Sequence, residues 1–441
     1  MENRKGYIMA TNTKGRNSRG KSADHRDTRA RRDSGKTRES REARDSRERR
    51  ASRDTRESRE SHARRERRER EAVYEEPRMS RREMKRKKQA KRKKKMIAIL
   101  AAEAVLIVVL GVFVWGLGKL DKFQNLGVDA DDINMNEDID AATAELLKGY
   151  TNVALFGIDT RKIGDLGAGN RSDTMIIASI NNETKEVRLM SVYRDTYMNR
   201  ADDTYGKCNA AYKSGGPKQA MEMLNTCLDL NIQYYVSIDF VALIKTIDLL
   251  GGLEIDVQES EWQYVNSYMY ETTEISEDYL DHYSPFLEGP GLQTLDGLQA
   301  TSYCRIRATA GDDFRRTERQ REVIGKIVDK AKTAGIGTIN DIIDEVFPLV
   351  ATNIPKTTMI GMAASMMNYE LGESSGFPSI RETGKVNKQS VVIPADLEAN
   401  VKELHRFLFD EEDYFPSPTV IKISDKITAD TGVTAKAADG Q

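Results

Sequence analysis

The residues of this chain best equipped for chemistry are arginines and aspartates. Histidine occurs four times and cysteine three times in 441 residues, so a His-based zinc site or a Ser-His-Asp triad is poorly supplied. Cys208, Cys227 and Cys304 have no C-x-x-C spacing and read as packing residues. The charged groups gather in four places instead. "RSDT" supplies Arg171 and Asp173, two apart and so on one side of an extended chain. "VYRDT" supplies Arg194 and Asp195 directly after a run that reads as buried strand, and "YCRIR" supplies Arg305 and Arg307, again two apart. "GDDFRRTERQRE", residues 311–322, places Asp313, Arg316 and Gln320 at i, i+3 and i+7 of a helix, which is one face. Arg315 and Arg319 form a second row beside it, expected to be exposed.

Such a set suits a multiply charged phosphate ester. Guanidinium forks match phosphate oxygens in pairs and keep their charge when partly buried. Aspartates among them are awkward for an anion unless they hold a hard cation that bridges the phosphates, the usual Mg²⁺ arrangement. The competing readings are Arg-Asp ion pairs that knit loops together and a charged helix that merely faces water.

The elements that must position these groups alternate in type. "TNVALFGID", "TMIIASIN", "EVRLMSVY" and "IQYYVSIDF" are short β-rich runs, and "GPKQAMEMLNTCLDL" and "FVALIKTIDLLGG" are helical ones. That alternation predicts an α/β domain over 151–411, layered α-β-α around a central mixed sheet. Ligands of open α/β sheets sit at the carboxyl ends of strands, where these charges fall. Residues 258–288 read as an inserted surface loop, 119–150 as a polar stalk closing on a short helix, and 412–441 as a loose tail.

A net charge of -1 conceals a division. Residues 1–95 hold 37 Lys/Arg and 17 Asp/Glu, a net of +20, and the remainder carries -21. Between the two lies "MIAILAAEAVLIVVLGVFVWGLG", 96–118, interrupted only by Glu103. It is long enough to cross a hydrocarbon core of about 30 Å as a single-pass helix. The positive-inside rule then places 1–95 in the cytoplasm and the rest outside the cell, held by a retained anchor rather than a cleaved signal. Residues 1–95 bury almost nothing and are expected to be a disordered basic arm, at most a transient helix, on anionic inner-leaflet lipids. Nucleic acid is not the expected partner.

"NVALFGIDTR", "RSDTMIIASI", "SVYRDTY", "KCNAAYKSGGP", "YYVSIDF", "IDLLGGLEIDV", "GLQTLDGLQATSYCRIR" and "DDFRRTERQ" stand in one order and spacing from about 150 to 330. In both respects the chain resembles the LytR-CpsA-Psr family of membrane-anchored bacterial enzymes. These move glycopolymers, such as teichoic acid or capsule, from polyprenyl-pyrophosphate carriers onto peptidoglycan. The resemblance implies Arg194, Arg305, Arg307, Arg316 and Gln320 as ligands of the pyrophosphate, with Arg171 and Lys207 in the same cluster, and Asp173 and Asp313 as holders of Mg²⁺. Asp195 or Asp159 would be the base, unless a polarised hydroxyl needs none. Helices at 220–230 and 240–252 would enclose the polyprenyl chain. Two positions depart from the pattern: Tyr193 replaces the proline that commonly precedes R-D-T, and Cys208 stands where an aliphatic residue is more usual.

The expected activity is therefore a Mg²⁺-dependent phosphotransfer from a polyprenyl-pyrophosphoryl glycan to a peptidoglycan hydroxyl in cell-wall biogenesis. A pyrophosphatase acting on the same carrier, and a non-catalytic lipid-binding or signalling membrane protein, are its rivals.

Overall fold

The computed structural model describes residues 116–434 apart from Arg161, 277–283 and 308–311, together with 85–96, 101 and a few positions between 64 and 82. The expected span at 96–118 and most of the basic arm lie outside the described residues. Among those described, no helix is long and apolar enough to cross a membrane. Residues 85–96 are helical and exposed.

The chain runs through α1 (Ala141–Leu147), β1 (Tyr150–Asp159), β2 (Arg171–Asn181), β3 (Glu186–Val192), β4 (Tyr197–Asn199), β5 (Tyr205–Lys207), α2 (Asn209–Leu228), β6 (Tyr234–Ile238) and α3 (Phe240–Leu249). It continues through β7 (Leu253–Val257), α4 (Trp262–Ser276), β8 (Gly291–Leu295), α5 (Gly297–Tyr303), α6 (Asp312–Thr333), α7 (Ile336–Glu345) and β9 (Val350–Thr352). Last come α8 (Lys356–Ala364), β10 (Glu370–Phe377), β11 (Arg381–Val386), β12 (Gln389–Pro394), α9 (Leu397–Phe409) and α10 (Pro418–Thr431). Six strands make one mixed sheet in the order β10-β3-β2-β1-β6-β9. β1 is parallel to β6 and antiparallel to β2, and β3 is antiparallel to β2 and parallel to β10. The carboxyl ends of β1, β3, β6 and β10 thus share one edge with the amino end of β2.

Period-two alternation sends the side chains of each strand to two faces. Phe156, Ile158, Met175 and Ile177 join the main core with Met221 and Leu224 of α2, Val401 and Leu404 of α9, and Val420 and Ile423 of α10. On the opposite face Ile176, Ala178 and Leu189 meet Ile324 of α6, while Val236 and Ile238 meet Ala242 of α3 and Ile342 of α7. The expected α/β layering around a mixed sheet holds.

Four expectations need correction. The tail is not loose as far as Val433, because Val420, Ile423 and Ile427 of α10 are core residues. Nor is 119–150 a stalk: Phe123 stacks on Phe347 at 4.0 Å, Gln124 N donates to Val350 O at 2.9 Å, and Ile133 and Leu147 are buried. Their irregular spacing hid them from a search for periodicity. The supposed loop at 258–288 contains α4, whose buried stripe, Val265, Met269, Thr272 and Ser276, is half polar and so gave no apolar pattern. Finally, the apolar residues of 220–230 belong to the main core, which removes that helix from the expected lipid enclosure.

Candidate active site

Asp173 reaches the site through a β-bulge. Gly157 pairs with Thr174 but Ile158 pairs with Ser172, so Asp173 is the extra residue of β2. The parity that would align Arg171 with Asp173 is broken there. Asp173 Oδ2 accepts from Arg194 Nη1 at 2.7 Å and Arg307 Nη2 at 2.9 Å, while Arg171 is exposed and makes no ion pair among the described residues.

Arg194 follows β3 on a tight turn. Thr196 N donates to Tyr193 O at 2.9 Å, and Asn209 N, at the start of α2, donates to Arg194 O at 3.1 Å. The Cys208 thiol donates to Tyr193 O and Arg194 O at 3.1 and 3.2 Å, and burial pushes its pKa up, which keeps it a thiol. Cys208 therefore supports the turn as well as packing. Tyr193 leaves the R-D-T turn intact.

Arg305 and Arg307 flank Ile306, which is fully buried in the core of α4, α5, β7 and β8. Arg305 Nη1 donates to Thr272 Oγ1 at 2.7 Å, and its guanidinium lies 4.9 Å from the Phe240 ring centroid. Burial lowers its pKa against the opposing pull of Glu271 and Asp159. Thr272 and Glu271 were not legible as site residues because α4 did not read as a helix, whereas Phe240 lies in the expected helix at 240–252 but was assigned to the lipid enclosure rather than to Arg305.

In α6 the expected face is real. Arg316 is only 2% exposed, donates to Asp173 O at 3.0 Å and pairs with Asp313 Oδ1 at 3.1 Å. Burial pushes its guanidinium down to about 10, still charged at neutral pH. The second row divides. Arg315 is exposed and bonded to Glu318, whereas Arg319, expected at the surface, is 3% exposed. Arg319 Nη2 pairs with Glu261 at 2.9 Å, and its Nη1 donates to Ile306 O at 3.0 Å. Helical periodicity cannot say how wide a buried face is, and α4 and α5 cover this one to a greater breadth than one row.

Burial alone would raise the pKa of Asp173, but Arg194, Arg316 and Arg307 outweigh it and hold the carboxyl below its usual range. Arg194 Nε, Asp313 Oδ2, Arg316 Nε and Gln320 Oε1 are buried atoms without a hydrogen bond. Arg194 Nε lies 3.9 Å from Asp313 Oδ2, and Arg307 Nε lies 3.9 Å from Asp313 Oδ1, so both carboxylates face the same two arginines. Two carboxylates, one with a buried oxygen that accepts no hydrogen bond, fit a Mg²⁺ that takes its other ligands from water and phosphate. Among the described residues no cluster of three metal-ligating side chains exists. The cluster opens into a cavity of about 1160 Å³ also bordered by Asp159, Arg171, Asp195, Lys207 and Lys213. Asp195 is held by Lys207 Nζ at 2.9 Å, whereas Asp159 makes no hydrogen bond or ion pair among the described residues.

Residues 121–394 match the model of the LytR_cpsA_psr family. The chain belongs to this family. Similar to it are the polyisoprenyl-teichoic acid–peptidoglycan teichoic acid transferase TagV of Bacillus subtilis, 27% identical over 59% of this chain and 64% of the relative, and TagU of Enterococcus faecalis, 36% identical over 41% and 53%. The chain spans less than two thirds of the length of either. A crystal structure of a Streptococcus agalactiae protein superposes with a TM-score of 0.52 at 23% identity, covering 66% of this chain and 98% of that one, which shows a shared fold. In this LytR_cpsA_psr protein, Arg194, Arg305, Arg307, Arg316, Asp173 and Asp313 come together as the motif spacing required. Gln320, one helical turn beyond Arg316 with its Oε1 buried and without a hydrogen bond, is not among the residues that border the cavity, whereas Arg171, Lys207, Asp195 and Asp159 are.

Proposed function

We propose that the protein is a membrane-anchored phosphotransferase that moves a glycopolymer from a polyprenyl-pyrophosphate carrier to peptidoglycan. What carries the reading is the cluster at the strand ends, where arginines surround Asp173 and Asp313 and four buried polar atoms lack a hydrogen bond. A purely structural ion-pair network has little reason to leave buried donors and acceptors unmatched. The teichoic acid transferases named among the relatives support the same chemistry.

Arg194, Arg305, Arg307 and Arg316 would bind the pyrophosphate oxygens, with Gln320 completing the set. A sugar hydroxyl of peptidoglycan attacks the phosphorus next to the glycan, the bond from that phosphorus to the bridging oxygen breaks, and polyprenyl phosphate leaves. The arginines offset the charge that grows on the leaving phosphate. Asp173 and Asp313 would hold Mg²⁺, which when bound supplies further neutralisation of the phosphate charge. Because Lys207 engages Asp195, Asp159 is the better placed carboxylate to take the hydroxyl proton. The polyprenyl chain would lie on the sheet face covered by α3 and α6, where Val236, Ile238 and Leu249 beside α3, and Leu155 and Val187 in the cluster with Ile324 of α6, are only partly buried. The span at 96–118 would hold this domain outside the cell with the basic arm in the cytoplasm.

Incubation with a short-chain polyprenyl-pyrophosphoryl glycan and peptidoglycan oligomers tests the proposal by mass spectrometry. A glycan joined to peptidoglycan through phosphate is expected. Free glycan phosphate alone would identify a pyrophosphatase, and retained but unconverted lipid would identify a non-catalytic binder.

A further inference from the structure

We propose that Tyr193, Phe314 and Arg381 form a clasp that positions Asp313 against Arg194, a proposal that rests on the function given above. Tyr193 and Arg194 are consecutive, as are Asp313 and Phe314. The Tyr193 and Phe314 rings meet edge to face with centroids 4.7 Å apart, so their contact sets the separation of the charged neighbours. The Arg381 guanidinium lies 3.9 Å from the Phe314 centroid and 5.1 Å from that of Tyr193. Edge-to-face rings and a guanidinium over a ring are attractive through the ring quadrupole, and both have a preferred geometry.

The clasp is anchored in backbone. Arg381 Nη1 donates to Pro378 O at 3.2 Å and Ser379 O at 3.0 Å, and Tyr193 N donates to Phe377 O at 3.0 Å. The first turn of α6 and the R-D-T turn are thereby tied to one corner at the end of β10. A Cβ on Gly376 would collide with Tyr193 Oη. β10 is therefore shaped to admit a tyrosine at the position where the family pattern commonly has proline. Arg321 adds a second tie from α6 to the same edge, donating to Ser191 Oγ at 2.8 Å and Ser374 Oγ at 3.1 Å. Between these ties lie Arg316 and Gln320. The three residues need not touch substrate: they act through Asp313 and Arg194, and a reaction that depends on placed charges is sensitive to such support.

Hydrogen exchange of the amides of 312–320, read beside steady-state kinetics with the short-chain donor, tests this. Phe314→Leu and Arg381→Ala are each expected to speed exchange in 312–320 about tenfold while leaving 326–333 of the same helix unchanged. Both should lower kcat on the order of tenfold with KM for the donor within about twofold and Tm near that of the parent. Arg381→Lys should recover part of each effect, and Lys385→Ala, an exposed position on the same hairpin, should change neither. Unchanged exchange would overturn the clasp. Raised exchange with an unaltered kcat would overturn its positioning role, as would a kcat loss that tracks Tm and is not relieved by lysine. If the parent protein transfers no glycan, the functional reading fails, and the exchange data still decide whether the clasp exists.

Discussion

Two aspartates at opposite ends of the sheet, Asp173 half-buried and Asp229 fully buried, are satisfied in different ways. Asp173, at the carboxyl ends of β1 and β3, is bonded by the guanidinium groups of Arg194 and Arg307, and buried atoms around it make no hydrogen bond among the described residues. Asp229, just ahead of the amino end of β6, accepts from neutral donors only: Asn136 Nδ2, Tyr414 Oη, and Ser417 N and Oγ, the last two at 2.8 Å. The second arrangement ties the segment before β1 and the C-terminal segment to the end of α2. Its carboxylate is fully used. The first keeps charge and hydrogen-bonding capacity in reserve, which costs stability and is worth retaining only where something charged must be bound. A buried charge is therefore not a site by itself, and what separates the two is how much of its bonding capacity the fold consumes.

The largest effect expected from this contrast is at Arg316. Arg316→Ala should lower glycan transfer by about 100- to 1000-fold, the usual result of losing one preorganised donor. Lysine at this position should restore only part, since an ammonium lacks the paired donors of a guanidinium. A loss of less than tenfold in the transfer assay would mean that the unmatched atoms mark poor packing.

Arg319 sharpens the comparison because it sits one turn from Arg316 yet belongs to the satisfied kind. Arg319→Ala leaves Glu261 buried without its partner and should cost about 3–5 kcal/mol of stability in urea unfolding. The turnover of the molecules that remain folded should fall far less than for Arg316→Ala. If the variant unfolds at the same urea concentration as the parent, the pair is not structural.

Beside Asp229, burial lowers His405 to about 4 despite its bond to Leu228 O; its ring stacks on Tyr414 at 3.7 Å, and its Nδ1 makes no hydrogen bond among the described residues. A histidine whose folded pKa lies below its unfolded value of about 6.5 favours the unfolded chain as it gains a proton. Stability should therefore be intact above pH 6.5 and decline as pH falls toward 4, by up to about 3 kcal/mol. His405→Gln should flatten that decline, and an unchanged pH profile would contradict the assignment. The smallest effect belongs to Arg315→Ala, which removes an exposed charge and should stay within roughly 0.5 kcal/mol in stability, with transfer unchanged.

Much of the site was legible because charge type and spacing survive folding. Asp313 and Arg316 share a helix face by periodicity alone, and Arg305 and Arg307 flank a buried Ile306 as an extended segment requires. Arg319 was misread because its depth depends on α4, an element whose buried Thr272 and Ser276 conceal its apolar stripe. The tail was misread because Val420, Ile423 and Ile427 are too few to announce a core helix without a sheet to cover.

The sequence by itself determined which groups this protein has for chemistry, the alternation of strand and helix, and hence the end of the sheet where the charges would collect. Those properties follow from composition and from the 2.0 and 3.6 periods of local structure. Only the tertiary structure decided that a bulge turns Asp173 toward Arg194 and Arg307, that Lys207 occupies Asp195 while the Asp159 carboxylate makes no ion pair among the described residues, and that Arg319 supports the loop of Ile306. Each of these depends on contacts between residues far apart in the chain. Local periodicity carries no information about which distant partner arrives.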